Sequence, residues 1–525
     1  MRPLTESKKH WLTMAALWCF LLILAALRPM ALPDEGRYAE VSRWMLVSGD
    51  WLAPRLDGLP FFHKPPLLHW LQSITFTITG VSVWAARLVP ALHAGLMLTG
   101  IYWATRKIAG QATAGRALLM FGSSLTFLFA GQFINHDILV ATWISAAIGC
   151  FAFAFMDSKT DGQVDAGWAR AGFVACGLAV LSKGLIGLVL PGMVIFFWLV
   201  WTRQFGKVWR LPWVSGLLLF AAIALPWFVM AQLKYPGFFD YIIIKQHFAR
   251  YTASTFNSVY PWWFYLMALA VLFFPWCVFS LVPLLPTIRL RSPTASGPIK
   301  VWTSLCWVWL LSVLIFFSLP SSKLLGYILP AVPPLAMLAA MGWDNIMRQV
   351  KHSQRWFWAI MILNLTFALV GSLFSMKHTS DALSRDVAAV LACEASPNDT
   401  IYALDAYPYD LPFYLQVTRP LVVISDWPNL RAHVGDSWQR ELFESADFDP
   451  VAAQSLQTPA QLAEAKNQPG RWLLVPVGGD NNAATAGWTF VFKGIGWTLW
   501  RSSPEAEQTP SSAATAPKGL PGCKK

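Results

Sequence analysis

The residues with chemical potential lie in short polar motifs, each of which adjoins a long apolar stretch. The motifs are PDEGRYAE (Pro33–Glu40), FFHKPP (Phe61–Pro66), INHD (Ile134–Asp137), LSKG (Leu181–Gly184), KQHFAR (Lys245–Arg250) and SSKLLGY (Ser321–Tyr327). They combine carboxylates with Lys, Arg and His, the side chains that transfer protons and bind anions. Because the neighbouring segments are apolar, the pattern predicts a site for an anionic, lipid-like molecule at one face of a membrane.

Two acids directly follow the first apolar stretch, Asp34 and Glu35, and Arg37 follows Asp34 at helical spacing. A carboxylate at the end of a membrane helix lies where substrate and solvent meet, so Asp34 is a candidate general base. The alternative is a solvated loop acid, which is the interpretation we favour for Glu35.

A set of cations comes from different segments on the same predicted face: Arg37, Lys64, Lys183, Arg250 and Lys323. A single Lys at a helix end commonly extends to the lipid headgroups, and this alternative applies to each of them. As a group, however, they are an exception to the rule that outer loops contain few Lys and Arg residues. We therefore expect them to converge and to bind a lipid phosphate or diphosphate, with Arg supplying two donors and Lys a point charge.

Histidines on this face are His63, His69, His136 and His247. A lone His is usually a structural residue with satisfied hydrogen bonds. His63 and His247 each lie near a candidate phosphate ligand, so they are also candidate ligands of zinc or another divalent ion.

The composition is that of a membrane protein. Of 525 residues, 56% are hydrophobic and 13% are charged, and the mean hydropathy is +0.47. The net charge of +12 would suggest nucleic acid in a soluble protein. Here the Lys and Arg residues concentrate in short loops between apolar runs, so no nucleic-acid partner is expected. The seven Cys residues show neither CxxC pairs nor metal-ligand spacing.

About eleven apolar runs are close to the length of roughly 20 residues that crosses a bilayer. They lie at 11–28, 83–104, 113–131, 138–156, 168–181, 185–201, 212–231, 263–285, 302–318, 325–343 and 356–374. Lys8 and Lys9 place the N-terminus in the cytoplasm, and the first run is interpreted as an uncleaved helix.

Threading the runs from this start gives every cytoplasmic connection a basic character, as the positive-inside rule requires. The opposite face then receives 29–82, 132–137, 182–184, 232–262, 319–324 and 377–525. The two long outer loops mix aromatic and charged residues, which is typical of short helices that lie in the interface.

The composition changes near residue 377. Short β-rich stretches alternate with turn residues, at Ile401–Leu404, Leu421–Ser425, Trp472–Val477, Trp488–Lys493 and Trp497–Arg501. The sequence thus predicts a transmembrane domain over 1–376, a small periplasmic α/β domain over 377–502 and a disordered tail over 503–525.

At this point the motifs resemble those of bacterial polyprenyl-phosphate-sugar glycosyltransferases of the aminoarabinose transferase type. The similar pieces are PDEGRYAEVSRWMLVSGDWLAPRLDGLPFFHKPPLLHW, NHDILV, SKGLIGLVLPG, QHFARY, PWWFY and FFSLPSSKLLGYILPAVPPLA. They occur in family order across about the first 340 residues. This family modifies lipid A and shares the GT-C membrane fold with protein O-mannosyltransferases, so the resemblance implies an α-helical polytopic protein of about 11–13 spans plus the C-terminal domain.

The resemblance also implies substrates and roles. The donor would be an undecaprenyl-phosphate-linked sugar, and the acceptor lipid A or another envelope glycan, at the periplasmic face of the bacterial inner membrane. This activity modifies lipopolysaccharide and is associated with polymyxin resistance. Asp34 would be the key acid and Asp137 a supporting carboxylate. The residues around the lipid phosphate would be Arg37, Lys64, Lys183, Arg250, Lys323 and Tyr327. The family usually carries Glu before the Lys of the FxKPP motif, where this chain has His63.

Two alternatives remain open from the sequence. A transporter of lipid-linked sugars would explain the spans and the cations, but it is expected to show repeated halves and polar residues at mid-membrane. An enzyme like the protein O-mannosyltransferases would have a similar donor site and a different acceptor.

The predicted topology can be tested directly with a reporter protein fused at residue 380. We expect a reporter that is active only in the periplasm to be active there, because the basic loops hold the other face in the cytoplasm. Activity of a cytoplasm-specific reporter at the same position would contradict the placement of all the motif-bearing loops.

Overall fold

The computed structural model describes residues 6–157, 163–249, 259–282, 297–347, 350–377, 383–435, 437–479 and 482–502. The chain divides into two compact units. The first contains Met1–Pro29 and Phe62–Lys377, and the second contains Met30–Phe61 and His378–Lys525. The sequence prediction had placed residues 30–61 with the membrane domain, whereas in the structure this loop groups with the C-terminal part of the chain.

The regular secondary structure of the first unit is helical in its described residues, apart from an isolated β-bridge between Val259 and Ser322. Its α-helices are Glu6–Leu27, Leu67–Thr79, Val83–Ala109, Gln111–Gly122, Asp137–Met156, Ala166–Lys183, Ile186–Trp201, Trp213–Lys234, Phe264–Leu272, Trp276–Ser280, Gly297–Ser318, Val332–Met347 and Ser353–Lys377. Short π or 3₁₀ turns lie at Thr126–Ala130, Phe205–Arg210, Asp240–Ala249 and Leu325–Ala331.

Within the described residues, seven helical segments are long and apolar enough to cross a membrane. The other predicted runs are helical as well, but they are shorter or interrupted. The run at 263–285, for example, is broken between Phe264–Leu272 and Trp276–Ser280, where Pro275 follows Phe274. The polytopic membrane fold is confirmed, and the count of about eleven spans stays a prediction.

A helical hairpin in the first unit brings two motifs together. Asp137–Met156 and Ala166–Lys183 pack side by side, with Phe151 against Gly172. Because the two helices run in opposite directions, the start of the first lies beside the end of the second. Asp137 is therefore next to Lys183, each at the helix end whose dipole favours its charge.

The second unit is built on a six-stranded sheet. The strands are β3 (Thr400–Leu404), β4 (Val422–Ile424), β5 (Leu456–Gln457), β6 (Arg471–Pro476), β7 (Trp488–Lys493) and β8 (Trp497–Ser502), in the order β5-β4-β3-β6-β8-β7. Strands β5, β4, β3 and β6 are parallel, β8 pairs antiparallel with β6, and β7 pairs antiparallel with β8. Each predicted β-rich stretch is a strand; the two-residue β5 was missed because it carries no periodic signal.

Helices cover this sheet, as a parallel sheet requires. They are Arg385–Glu394, Leu411–Leu415, Trp427–His433, Trp438–Ala446, Pro459–Ala465 and Asn482–Thr485, with a 3₁₀ turn at Ala452–Ser455. Successive residues of β6 enter opposite hydrophobic cores, Trp472 and Leu474 on one face and Leu473 and Val475 on the other. Burial of both faces explains the near-continuous apolar composition of this strand.

Residues 30–61 complete the second unit. They form the helix Asp34–Ser48 and a hairpin of β1 (Arg55–Leu56) and β2 (Leu59–Pro60). At the hairpin turn, the buried Asp57 accepts a hydrogen bond of 2.8 Å from the backbone N–H of Leu421, just before β4. Gly36 allows a close approach, since a Cβ there would lie 3.0 Å from the backbone of Tyr409.

Candidate active site

The carboxylate of Asp137 is the centre of a charged cluster in the first unit. It forms an ion pair with Lys183, and both side chains are largely buried. Asn135 holds the carboxylate from the other side, because its amide donates to Oδ2 at 3.0 Å and its carbonyl accepts the backbone N–H of Asp137 at 2.9 Å. The carboxylate is therefore fixed in orientation as well as neutralised.

The ammonium group of Lys183 also lies over an aromatic ring. Its Nζ atom is 4.2 Å from the ring centroid of Tyr327, within the range of a cation–π interaction. Tyr327 belongs to the 3₁₀ turn Leu325–Ala331. Three predicted site residues from three distant motifs, Asp137, Lys183 and Tyr327, are thus brought together.

The side chain of His136 lies in positively charged surroundings at this cluster. Its Nδ1 atom donates to the carbonyl oxygen of Ser182 at 3.0 Å, and its ring contacts that of His69 edge to face. Burial, and then the charges of His69, Lys64 and Lys183, hold the pKa of His136 well below its ordinary value. Two of the predicted phosphate ligands, Lys64 and Lys183, thus act electrostatically on the same small region.

Lys323 is held by backbone oxygens. Its side chain is buried, and its ammonium group donates to the carbonyls of Tyr260, at 3.0 Å, and Pro320. Burial lowers the pKa of Lys323. The two carbonyl oxygens orient the ammonium group of Lys323 without placing a formal negative charge beside it.

Asp34 and Arg37 form a second charged cluster, in the second unit. Asp34 begins the helix Asp34–Ser48, is 42% exposed and pairs with Arg37 one turn later. Arg37 also pairs with Glu441, and its guanidinium lies 4.9 Å from the ring centroid of Tyr38 and 5.9 Å from that of Phe61. Burial opposes the charge on Arg37, but Glu441, Tyr38 and Asp34 outweigh it and keep its pKa well above the ordinary value.

The expectation for Glu35 is wrong. Its side chain is fully buried, and its carboxylate accepts the backbone N–H of Ala31 at 2.8 Å. Glu35 therefore secures the turn that precedes the helix instead of facing solvent.

Some predicted site residues cannot be placed. Arg250 and the side chain of His247 lie outside the described residues. Since Arg37 belongs to the second unit and the three lysines to the first, the convergence of all five cations stays a prediction.

The geometry of the described residues adds no support to the predicted metal site. In the part of the chain that the structure describes, no three His, Cys, Asp or Glu side chains come together as ligands. The Nε2 atom of His63 is hydrogen-bonded to the hydroxyl of Tyr241 at 2.8 Å, and Tyr241 in turn accepts from Gln246 at 3.1 Å. His63 is thus engaged in a hydrogen-bond chain.

Sequence reasoning missed three contributors to these clusters. Asn135 and Gly326 lie inside recognised motifs, so their neighbours could have drawn attention to them. Glu441 lies in a segment without a motif, 404 positions from Arg37. No local pattern could have indicated that pairing.

Comparison with known proteins identifies the class to which this fold corresponds. The fold is similar to a crystal structure of ArnT from Cupriavidus metallidurans bound to undecaprenyl phosphate, with a TM-score of 0.79 and 23% identity, covering 95% of this chain and 99% of that chain. It is also similar to the apo oligosaccharyltransferase of Archaeoglobus fulgidus, with a TM-score of 0.51 and 14% identity, covering 94% and 74% of the two chains. The chain thus has the fold of the GT-C membrane glycosyltransferases.

Sequence comparison agrees with this class. Residues 9–242 match the family described as dolichyl-phosphate-mannose-protein mannosyltransferase. Undecaprenyl phosphate-alpha-4-amino-4-deoxy-L-arabinose arabinosyl transferase 1 of Pseudomonas fluorescens (strain Pf0-1) is 32% identical over 345 residues, 64% of this chain and 58% of the relative. The corresponding transferase of Aeromonas salmonicida is 33% identical over 367 residues, 68% of this chain and 64% of the relative.

These comparisons confirm the resemblance expected from the motifs. The matched region spans less than two thirds of the length of these curated relatives.

Gly326 offers a test of the Asp137 cluster that does not depend on activity. A Cβ at position 326 would overlap the Asp137 carboxylate. We expect Gly326→Ala to destabilise the protein by about 1–3 kcal/mol, the usual cost of overpacking, and to lower its melting temperature in detergent. The control is Gly192→Ala, since a Cβ there meets nothing within 4 Å. In an Asp137→Ala background the Gly326→Ala change should cost much less; an equal cost in both backgrounds would contradict the proposed contact.

Proposed function

We propose that this protein is a membrane-embedded glycosyltransferase that moves a sugar, aminoarabinose or a related one, from undecaprenyl phosphate to lipid A or another envelope acceptor. The observation that carries the proposal is the cluster of Asp137, Lys183 and Tyr327, with Lys64 acting on the same region. It lies in a chain with the fold of ArnT and similarity to aminoarabinose transferases. We propose that the site lies at the periplasmic face of the inner membrane.

The cations fit the leaving group of such a reaction. As the bond between the sugar and the phosphate breaks, negative charge develops on the phosphate oxygens of undecaprenyl phosphate. Ammonium groups that are already oriented stabilise this charge without reorganisation. Asp137 and Tyr327 orient Lys183, and backbone carbonyls orient Lys323, so both lysines would be ready before the donor arrives.

Asp34 fits the other half of the reaction. Its side chain is the more exposed member of its ion pair, with 42% exposure against 12% for Arg37. A carboxylate that is both held and accessible can orient an acceptor hydroxyl or take its proton. If the acceptor is a phosphate group, which is already nucleophilic, orientation becomes its main role.

A divalent metal bound by His63 and His247 remains a separate proposal. It is supported by the two histidines in motifs that adjoin candidate phosphate ligands. Elemental analysis of the purified protein, with and without chelator, tests it; activity that survives chelation with no metal detected would exclude it.

The Asp34 assignment can be tested with the charge-removing substitution Asp34→Asn. We expect transfer to fall by ~10²–10⁴-fold, the usual range for a lost acid–base group, while membrane insertion is retained. The assay uses purified protein, undecaprenyl-phosphate aminoarabinose and lipid A, with the product detected by mass spectrometry.

The matched control is Asp447→Asn, at an Asp that is 56% exposed and paired with Arg431. This variant should transfer at the wild-type rate. Near-normal transfer by Asp34→Asn would show that Asp34 is a solvated acid at a helix end, and a wild-type protein that transports the donor without transferring its sugar would exclude the enzyme altogether.

A further inference from the structure

Arg37 was predicted to bind the lipid phosphate, but both of its terminal nitrogens, Nη1 and Nη2, are already engaged, and its Nε atom is buried without a hydrogen-bond partner among the described residues. Nη2 pairs with Asp34 and Nη1 with both carboxylate oxygens of Glu441. The guanidinium is only 12% exposed and is bordered by the rings of Tyr38 and Phe61. An Arg held in this way acts on its carboxylate neighbours more directly than on an incoming phosphate.

Glu441 is itself held firmly. It lies in the first turn of the helix Trp438–Ala446, where the helix dipole stabilises a carboxylate. Ser437 caps this helix, and the next two residues, Leu442 and Phe443, are buried. The side chain of Glu441 is 13% exposed, so little water competes for its bond to Arg37.

We propose that Glu441 is a positioning residue for the transfer reaction: it fixes Arg37, and Arg37 in turn orients the carboxylate of Asp34. This inference rests on the proposed function, because Asp34 is the acid assigned there. Both links lie within the second unit. Glu441 touches neither donor nor acceptor in this scheme.

The arrangement gives a reason for the ion pair between Asp34 and Arg37. A carboxylate that is 42% exposed at the end of a helix would otherwise sample several rotamers. A guanidinium offers Asp34 one preferred geometry, but a long Arg side chain also needs anchoring. Glu441 anchors the Nη1 edge, and the two aromatic rings restrict the plane of the guanidinium.

The test compares Glu441→Gln with Glu444→Gln. Glu444 lies on the same helix one turn later and pairs with Arg440 at 2.8 Å, so the two variants share residue type, helix and charge change. For Glu441→Gln we expect kcat to fall by about tenfold or more, as for a lost charged hydrogen bond, with the KM for the donor changed less than about threefold. Glu444→Gln should keep the wild-type kcat.

A double variant separates positioning from general damage. In an Arg37→Ala background, Glu441→Gln should cause no further loss, because the proposed route from Glu441 through Arg37 to Asp34 has been removed. Glu441→Asp, which keeps the charge on a shorter side chain, should recover part of the rate. An equal loss in Glu441→Gln and Glu444→Gln, or a further loss in the Arg37→Ala background, would overturn the proposal.

Hydrogen exchange provides a second measurement that does not require activity. The peptide covering residues 34–48 should exchange faster in Glu441→Gln and at the wild-type rate in Glu444→Gln, because only the first change releases Arg37. Unchanged exchange with a wild-type kcat would overturn the inference while leaving the proposed function intact. If the wild-type protein transfers no sugar, the proposed function fails, and a positioning role for Glu441 in transfer fails with it.

Discussion

A charge that is removed from water needs a partner, and both charged clusters of this protein are organised by that requirement. In the first unit, Lys183 is mostly buried and is stabilised by Asp137 and by the ring of Tyr327. The pair depends on a helical hairpin that juxtaposes one helix start with one helix end. The hairpin is in turn fixed by close packing, such as Phe151 against Gly172. The ion pair between Asp137 and Lys183 therefore depends on the packing of the two helices that carry these residues.

The second unit applies the same rule differently. Arg37 is paired on two sides by carboxylates and covered by aromatic rings, so that the exposed member of the cluster is an acid. In the first unit, backbone carbonyls orient the ammonium group of Lys323. Each unit thus holds charged side chains in defined orientations.

Much of the architecture could be predicted because it follows local rules. Apolar length indicated the membrane helices, and β-rich stretches such as Trp488–Lys493 indicated strands. The grouping of residues 30–61 with a sheet far away in the sequence could not be predicted, since it depends on contacts such as that between Asp57 and Leu421. Glu35 was misjudged for a related reason. Its burial and its bond to Ala31 depend on the path of a loop, which composition does not reveal.

The alternation of the chain between the two units has a consequence for biosynthesis. Residues 30–61 leave the ribosome well before the sheet with which they group. Arg37 precedes Glu441 by 404 positions, which at about 5–20 residues per second corresponds to about 20–80 s of translation. Throughout that interval the segment carrying Asp34 is already synthesised but lacks its final partners. The fold therefore delays completion of the charged cluster of Asp34, Arg37 and Glu441 until Glu441 has been translated.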